Sequence, residues 1–234
     1  SQPPSTDSPA IASLFAQSWT SPFTRLQFGH VDAATLAEAM APHIKEQMGK
    51  SHTRFVAMWN GEEGAAVTQW MIPQDHEEET GREDESAREE EEEEGKEEQE
   101  QREEREKFED EAYRNKLPEC CNKDLVMEFT HGLRRLRATI LGGRKHYLLE
   151  NIATHPLHRS KGLASKLVKW AFPQADAQNV PIYLDTASDN PAKGLYEKLG
   201  FQEQGRSTIK DLERFGGEGG HTHVGLVRYP KNAA

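Results

Sequence analysis

Apolar and polar positions alternate along the chain with two different periods, which separates helix-like from strand-like segments. Helical spacing of apolar residues predicts helices over 32–48, 124–138, 161–172 and 191–199. Short apolar runs predict strands over 53–59, 65–72, 147–154, 181–186 and 221–229. Asn60-Gly61 joins the first two strands and is typical of a hairpin turn. This order predicts an α/β fold, an α+β arrangement with a central twisted mixed sheet flanked by helices.

Composition divides the chain into a folded part and flanking or inserted segments. We expect residues 1–20 to be an N-terminal tail that becomes ordered near Phe15 and Trp19, and 231–234 to be a C-terminal tail. Residues 21–230 are predicted to form one domain, interrupted by an acidic low-complexity insertion over 75–116. Within the first predicted helix, Pro42 is expected to kink or divide it.

Charge is concentrated in the insertion. Residues 75–111 hold 22 of the 40 Asp and Glu residues and 6 of the 29 Lys and Arg residues, which leaves 18 acidic and 23 basic residues elsewhere. The predicted domain is therefore mildly basic, and this suits an anionic cofactor. Two interpretations of the insertion stay open: a mobile or solvated helical spacer, and a docking site for a basic protein partner.

Cysteine usage and hydropathy indicate a compartment. Cys120 and Cys121 are adjacent and cannot close an ordinary disulfide loop, so a reducing, cytoplasmic environment is expected. The start of the chain has no signal-peptide layout, and no apolar run has the length of a membrane span. We expect no metal, no nucleic acid and no membrane as partner, and either a monomer or a homodimer.

The segment His155–Ser165, HPLHRSKGLAS, has the character of a phosphate-binding turn. It follows an apolar strand and opens a helix, whose first amides lack internal partners and carry the positive end of the helix dipole. Gly162 allows a ligand to approach the backbone, and Arg159 and Lys161 add positive charge. The turn contains neither the Walker A pattern nor the dinucleotide-binding fingerprint.

Two motifs in this half of the chain resemble those of a known superfamily. Arg159-x-x-Gly162-x-Ala164 resembles the [QR]-x-x-G-x-[GA] motif of the GCN5-related N-acetyltransferase (GNAT) superfamily. About 26 residues later, the run from Asn190 to Phe201, NPAKGLYEKLGF, resembles its second signature, N-x-x-A-x-x-L-Y-x-x-x-G-F. The resemblance covers roughly residues 120–230, and the Thr-His-Pro-x-x-Arg turn looks like that of fungal members.

The resemblance implies acetyl-CoA as the acetyl donor and assigns roles to individual residues. Backbone groups of a splayed strand would bind the pantetheine arm and the thioester carbonyl, here those of Ile152, Ala153 and Thr154. The pyrophosphate would lie against the amides of Arg159, Ser160, Lys161, Gly162, Leu163 and Ala164. Asn190 would bind the pantetheine arm, although it can also simply cap the following helix. Tyr196 would protonate the sulfur, although it can also be a packing residue.

The general base is the open part of this assignment. Strand alternation places Glu150 on one face with three neighbours, Leu148, Ile152 and Thr154. A carboxylate between apolar neighbours has a raised pKa and can take a proton from an amine. The other candidates for the base or the acceptor pocket are Asp185, His155, His221 and His223.

Three functions are compatible with these residues. The leading hypothesis is acetyl transfer to a primary amine of a small molecule, such as a xenobiotic or a specialised metabolite. The second is acetylation of a protein or peptide, with the acidic insertion recruiting basic substrates. The third is a non-catalytic CoA-binding interaction protein. Tyr196 argues against this third function, because an inactive relative does not need a tyrosine at that position.

Overall fold

Side-chain caps mark where the longer helices begin. Asp32 Oδ1 accepts a hydrogen bond from the Thr35 amide at 2.9 Å, and Asn122 Oδ1 accepts one from the Leu125 amide at 3.3 Å.

The computed structural model describes residues 2–29, 31–61, 63–73, 107–108 and 110–231. Outside residues 75–119, the α-helices of the described residues are α1 Ser8–Ser18, α2 Pro22–Phe28, α3 Ala33–Met48, α4 Lys123–Leu141, α5 Leu163–Val168, α6 Phe172–Ala177 and α7 Lys193–Lys198.

Six strands form one mixed sheet in the order β1-β2-β3-β4-β6-β5. Their bounds are β1 Thr53–Asn60, β2 Glu63–Met71, β3 Tyr147–Thr154, β4 Ile182–Ala187, β5 Gln202–Ile209 and β6 His221–Arg228. Only β3 and β4 pair in parallel, and the other four neighbouring pairs are antiparallel. The predicted hairpin and the predicted mixed α/β sheet are both confirmed.

Helices cover both faces of the sheet. On one face, here called the α4 face, α1 and α3 pack on Phe55, Val67 and Ala153, while α4 packs on Leu148 and Tyr183. On the opposite face, here called the α5 face, the short helices α5, α6 and α7 enclose a core that is built around the strand residues Trp70, Leu149, Ile182, Leu184 and Leu226. The ends of β3 and β4 therefore lie between two helical layers.

The N-terminal segment differs from the prediction of a loose tail. Residues Ser8–Ser18 form α1, in which Ile11 and Phe15 are 1% exposed and pack with α3. The Pro-rich start of this segment concealed a helical apolar stripe, and burial of that stripe stabilises the helix. The Ser18 hydroxyl also donates to the Thr154 carbonyl at 3.3 Å, so α1 reaches the end of β3.

Other helices and strands also differ from the sequence predictions. Helix α3 runs through Pro42 to Met48 without dividing. The helix predicted over 161–172 is instead α5, a 3₁₀ turn over Lys169–Ala171, and α6, which has a proline in its first turn. Strand β5 was not predicted, because six of its eight residues are polar and Ile209 is its one large apolar residue, as suits a strand at the edge of the sheet.

The chain divides into two compact units, one made of residues 1–74 and 120–234 and the other of residues 75–119. Most of the predicted insertion over 75–116 lies outside the described residues, and within it residues 107–108 and 110–116 are helical. None of the helices in the described part of the chain has both the length and the apolar character needed to span a membrane.

We expect Gly225→Ala to lower the free energy of unfolding by about 1–3 kcal/mol, because the added methyl group overpacks the core. A Cβ atom there would lie 2.5 Å from Ile140 Cδ1 and 3.0 Å from the Tyr183 hydroxyl. Urea unfolding measures the change. Gly194→Ala is the control: its Cβ would meet nothing within 4 Å, so no loss of stability is expected. Equal stability of the two variants would contradict this packing of α4 on β6.

Candidate active site

The parallel strands β3 and β4 separate part-way along their length. Their pairing runs from Tyr147 opposite Ile182 to Leu149 opposite Leu184 and then stops. Beyond that point, β3 stays paired with β2 as far as Thr154, and β4 stays paired with β6 as far as Ala187. We call the gap between residues 150–154 and 185–187 the fork. Backbone groups of β3 that face the fork have no ladder partner there.

The phosphate-type turn lies directly after the fork. A 3₁₀ turn over Pro156–His158 follows β3, and α5 begins at Leu163. Ser160 and Gly162 have positive φ angles of 61° and 73°. The Arg159 amide donates to the Pro156 carbonyl at 3.4 Å, so the amides without a backbone acceptor in the described structure begin at Ser160. A cavity of about 280 Å³ lies against this turn, with Thr154 and Leu195 in its wall.

Two buried histidines of the turn, His155 and His158, contact strand β2. Glu63 on β2 contacts His155 Nε2 at 3.4 Å and His158 Nε2 at 3.5 Å. The Leu157 amide donates to His155 Nδ1 at 3.3 Å, and His158 Nδ1 lies 3.1 Å from the Lys161 ammonium nitrogen. His155, a candidate for the base, is therefore a buried part of the turn's support, paired with Glu63.

Glu150 lies at an irregularity in β3. Gln69 pairs with Asn151 and Trp70 pairs with Leu149, so Glu150 is the extra residue of a β-bulge. The bulge breaks the predicted alternation: Glu150 keeps the face of Leu148, whereas Ile152 belongs to the core on the α5 face with Leu149. The strand-alternation prediction that grouped Glu150 with Ile152 and Thr154 is corrected by this extra residue.

The bulge places Glu150 in a short hydrogen-bond chain. The Gln69 side chain is 6% exposed. Its Nε2 donates to Glu150 Oε2 at 2.7 Å, and its Oε1 accepts from the side-chain nitrogen Nδ2 of Asn151 at 3.0 Å. Part of the Glu150 residue is exposed to solvent, but protein atoms surround its carboxyl group, and this desolvation raises the pKa of the group. The positive charges of Arg137 and Lys50 lower that pKa. A carboxylate with these properties can accept a proton from an amine.

Asp185 is the first residue of β4 beyond the last parallel pair. Burial raises the pKa of its carboxyl group to about 6; Arg137 opposes this shift and Glu150 adds to it. Within the described residues its side chain makes no hydrogen bond.

Tyr196 lies on α7, on the other side of the sheet. It is 4% exposed and its ring meets Phe201 edge-on, with ring centroids 6.1 Å apart. Burial, with a further contribution from Asp185, raises the pKa of its hydroxyl to about 12, so the phenol keeps its proton at neutral pH. A protonated phenol thus lies on the α5 face, and two carboxylates lie on the α4 face.

One family of known proteins matches this chain. The model of the acetyltransferase (GNAT) family matches residues 66–201, more than half of the chain. The chain belongs to the GNAT acetyltransferase family. A comparison with curated proteins gave no significant match.

Solved structures share the GNAT fold at low sequence identity. Arylalkylamine N-acetyltransferase 2 from Aedes aegypti is 12% identical with a TM-score of 0.61, over 98% of this chain and 97% of that chain. A protein described as histone acetyltransferase HPA2 and related acetyltransferase, from Corynebacterium glutamicum, is 16% identical with a TM-score of 0.53, over 98% and 94%. The ribosomal-protein-S18-alanine N-acetyltransferase from Escherichia coli is 13% identical with a TM-score of 0.51, over 100% and 94%.

The second GNAT signature is shifted by one residue at its start. Asn190 precedes Tyr196 by six positions, whereas the pattern N-x-x-A-x-x-L-Y requires seven, so Asp189 occupies the asparagine position. The Asn190 side chain donates to Thr186 Oγ1 and accepts from the Ala192 amide, both at 2.9 Å. Its amide therefore organises the turn before α7, but it does not cap the helix as the alternative prediction had it, because the N-cap residue is Ala192 and no side chain caps it.

His221 and His223 belong to an aromatic cluster on the α4 face of the GNAT domain. His221 Nε2 lies 3.0 Å from His223 Nδ1, and the Phe23 ring stacks on His221 with centroids 3.5 Å apart. Burial and the neighbouring His221 lower the pKa of His223 to about 3, so that ring is neutral at physiological pH. Phe129 meets His223 edge-on at 4.8 Å and joins α4 to the same cluster.

Several residues of this GNAT site were not predicted from the sequence. Gln69 is a polar residue inside the apolar run of β2, and that contrast was an available signal. Arg137 follows Leu133 by four residues and therefore lies near the apolar stripe of α4, which was a weaker signal. Glu63 had no signal, because its role arises from cross-strand pairing. Within the described residues, no group of three or more His, Cys, Asp or Glu side chains could hold a metal ion.

Proposed function

We propose that this GNAT acetyltransferase moves an acetyl group from acetyl-CoA to a primary amine of a small molecule, by direct transfer in a ternary complex. The observation that carries this proposal is the fork, which has a protonated phenol, Tyr196, on the α5 face and a carboxylate with a raised pKa, Glu150, on the α4 face. In this proposal, Tyr196 donates a proton from the α5 face and Glu150 accepts one on the α4 face.

The residues at the fork fit acetyl-CoA. Those backbone groups of Ile152, Ala153 and Thr154 that point away from β2 would hold the pantetheine arm, and an N–H among them would stabilise charge on a carbonyl oxygen placed there. The pyrophosphate would lie against amides of Ser160, Lys161, Gly162, Leu163 and Ala164. The Arg159 and Lys161 side chains, exposed beside the turn, add positive charge. When bound, acetyl-CoA supplies an activated acetyl thioester.

Two side chains would move protons. An aliphatic amine has a pKa of about 10.4 and reaches the site as an ammonium ion, which cannot attack a carbonyl group. Glu150 would take its proton, helped by the raised pKa of that carboxyl group. Tyr196 would protonate the departing sulfur, since its hydroxyl holds a proton at neutral pH.

The acceptor class rests on narrower support. The solved relatives that share the fold include one named for arylalkylamines and one named for a ribosomal-protein alanine, so the fold by itself does not choose. The small-amine acceptor is therefore the hypothesis taken from the sequence, and the thiol-release experiment below decides between the two classes. A cytoplasmic location and a likeness to fungal members stay predictions from the sequence. The peptide hypothesis depends on the insertion over 75–116, most of which lies outside the described residues.

Calorimetric titration with acetyl-CoA tests the donor, and release of free thiol in the presence of amines, amino acids or basic peptides tests the acceptor. We expect Gly162→Leu to weaken acetyl-CoA binding at least about tenfold, because a side chain at that position would obstruct the amides that face the cavity. No binding of acetyl-CoA at millimolar concentration would overturn the proposal.

Gly142→Leu is the matched control for this variant. Gly142 also has a positive φ angle, 57°, and a Cβ added there would likewise meet nothing within 4 Å. It ends α4 rather than starting α5. Both variants carry the same backbone strain, so only Gly162→Leu should lose affinity. Equal losses in the two variants would show that strain, and not obstruction, is responsible.

A further inference from the structure

Two carboxylates lie opposite each other where the fork opens. Leu149 and Leu184 form the last parallel pair, and the next residue along each strand is Glu150 on β3 and Asp185 on β4. Two residues before them, Leu148 and Tyr183 pair and share one apolar cluster under α4. Glu150 and Asp185 therefore point to the same face of the sheet, at the same level along the two strands.

The surroundings of the two carboxylates are unequal. Glu150 accepts a hydrogen bond from Gln69, while Asp185 makes none within the described residues and is partly exposed. The position opposite Asp185 on β6 is Gly225, which offers no side chain. The Asp185 carboxylate is thus anchored by its strand but left without a protein donor, on the side of the sheet from which an amine would reach the fork.

The charged and titratable groups around Asp185 come from several elements. Arg137 on α4 attracts both carboxylates, although no ion pair within 4.0 Å forms with either in the described structure. The charge of Asp185 contributes to the raised pKa of the Tyr183 hydroxyl on β4 and of the Tyr196 hydroxyl on α7. Lys50 acts on Glu150 in addition. At Asp185, by contrast, the opposing cation among the described residues is Arg137, whose charge is shared with Glu150, so a bound ammonium ion would add a counter-charge at Asp185.

We propose that Asp185 is a second acceptor-binding carboxylate, which together with Glu150 binds the acceptor amine in its ammonium form and so selects strongly basic aliphatic amines over weakly basic aromatic amines. This inference rests on the proposed acetyl transfer. An ammonium group has three N–H donors, enough to reach both carboxylates at once. An aromatic amine is neutral at physiological pH and gains no such ion pairing.

The proton balance follows from this arrangement. The ammonium nitrogen gives one proton to the Glu150–Asp185 pair, which then releases it to solvent. The neutral nitrogen forms the new C–N bond as the C–S bond breaks, and Tyr196 gives its proton to the sulfur. The nitrogen loses a second proton, which restores the Tyr196 hydroxyl. Because two like charges lie close together, the pair can hold a single proton that belongs to both groups.

Asp185→Asn tests the assignment, with kcat and KM measured on 2-phenylethylamine and on aniline. Removal of one charge-assisted contact is expected to raise KM for 2-phenylethylamine about 10- to 100-fold, with a much smaller effect on aniline. The acidic limb of the pH profile for 2-phenylethylamine should also move, because Glu150 loses its titrating partner. Asp185→Glu, which keeps the charge, should recover most of the preference for the aliphatic amine.

Asp211→Asn is the control, since it makes the same chemical change at an exposed position outside the site, where the Asn oxygen can still accept from the Glu213 amide. It should leave the ratio of the two acceptors unchanged. Thermal unfolding is followed for every variant, and Asp185→Ser replaces Asp185→Asn if the latter does not fold. A wild-type protein that turns over 2-phenylethylamine, with a preference that Asp185→Asn leaves intact, overturns this inference alone. A wild-type protein that acetylates no amine overturns the proposed function as well.

Discussion

Tyr196→Phe is expected to lower kcat about 100-fold or more, while acetyl-CoA affinity changes by less than about twofold. The substitution removes only the hydroxyl group, and the ring keeps its edge-on contact with Phe201. The proton that would neutralise the departing thiolate is then missing, whereas binding uses other groups. Single-turnover rates with acetyl-CoA and an accepted amine measure the loss of catalytic rate, and calorimetric titration measures the affinity for acetyl-CoA.

Tyr147→Phe provides a matched control for that experiment. Tyr147 is also 4% exposed and belongs to the same apolar core on the α5 face as Tyr196. Its hydroxyl interacts with Gln178, at the opposite end of β3 from the turn. We expect this variant to retain kcat. If Tyr196→Phe lost kcat and acetyl-CoA affinity to the same extent, Tyr196 would be a packing residue.

Asp176→Ala is expected to lower the free energy of unfolding by about 3 kcal/mol at neutral pH, the largest stability effect we predict for a single polar residue. Asp176 receives two hydrogen bonds from Arg228, at 2.8 and 2.9 Å. Arg228 is 4% exposed and also lies over the Phe172 ring, 4.0 Å from its centroid. Removal of the carboxylate would leave a buried guanidinium without its counter-charge.

The pH dependence of this stability has a defined sign. Hydrogen bonds from Arg228 hold the pKa of Asp176 below its ordinary value of 3.8. The pair therefore stabilises the fold fully above that value, and its contribution is lost as the pH falls through the folded-state pKa. Urea unfolding at several pH values should show the gap between wild type and Asp176→Ala constant at neutral pH and closing in acid.

An exposed ion pair supplies the comparison for Asp176→Ala. Glu197 lies 2.8 Å from the Lys193 ammonium nitrogen on the surface of α7, with 51% of its side chain exposed. Solvent screens such pairs, so Glu197→Ala should cost less than about 1 kcal/mol. Asp176→Ala combined with Arg228→Met should recover part of the loss, because no buried charge is then left unpaired. A loss for Asp176→Ala as small as that for Glu197→Ala would show that Arg228 remains solvated.

The order of elements could be predicted because its signals are local. Asn60-Gly61 and the apolar runs beside it were enough for the β1–β2 hairpin, and the segment His155–Ser165 was enough for a strand, a turn and a helix start. Both depend on residues a few positions apart. Strand β5 and helix α1 were missed since their apolar positions are few or follow a Pro-rich start, and their stability comes from partners far along the chain.

The chain alone therefore determined the fold class, the acetyltransferase family and the place of Tyr196 and the phosphate-type turn. Only the tertiary structure decided how the carboxylates are arranged. The bulge that turns Glu150 toward Gln69, the end of pairing that sets Asp185 opposite it, and the approach of Arg137 all depend on register between distant segments. A shift of one residue in such a register moves a side chain to the other face of the sheet, and no local pattern records it.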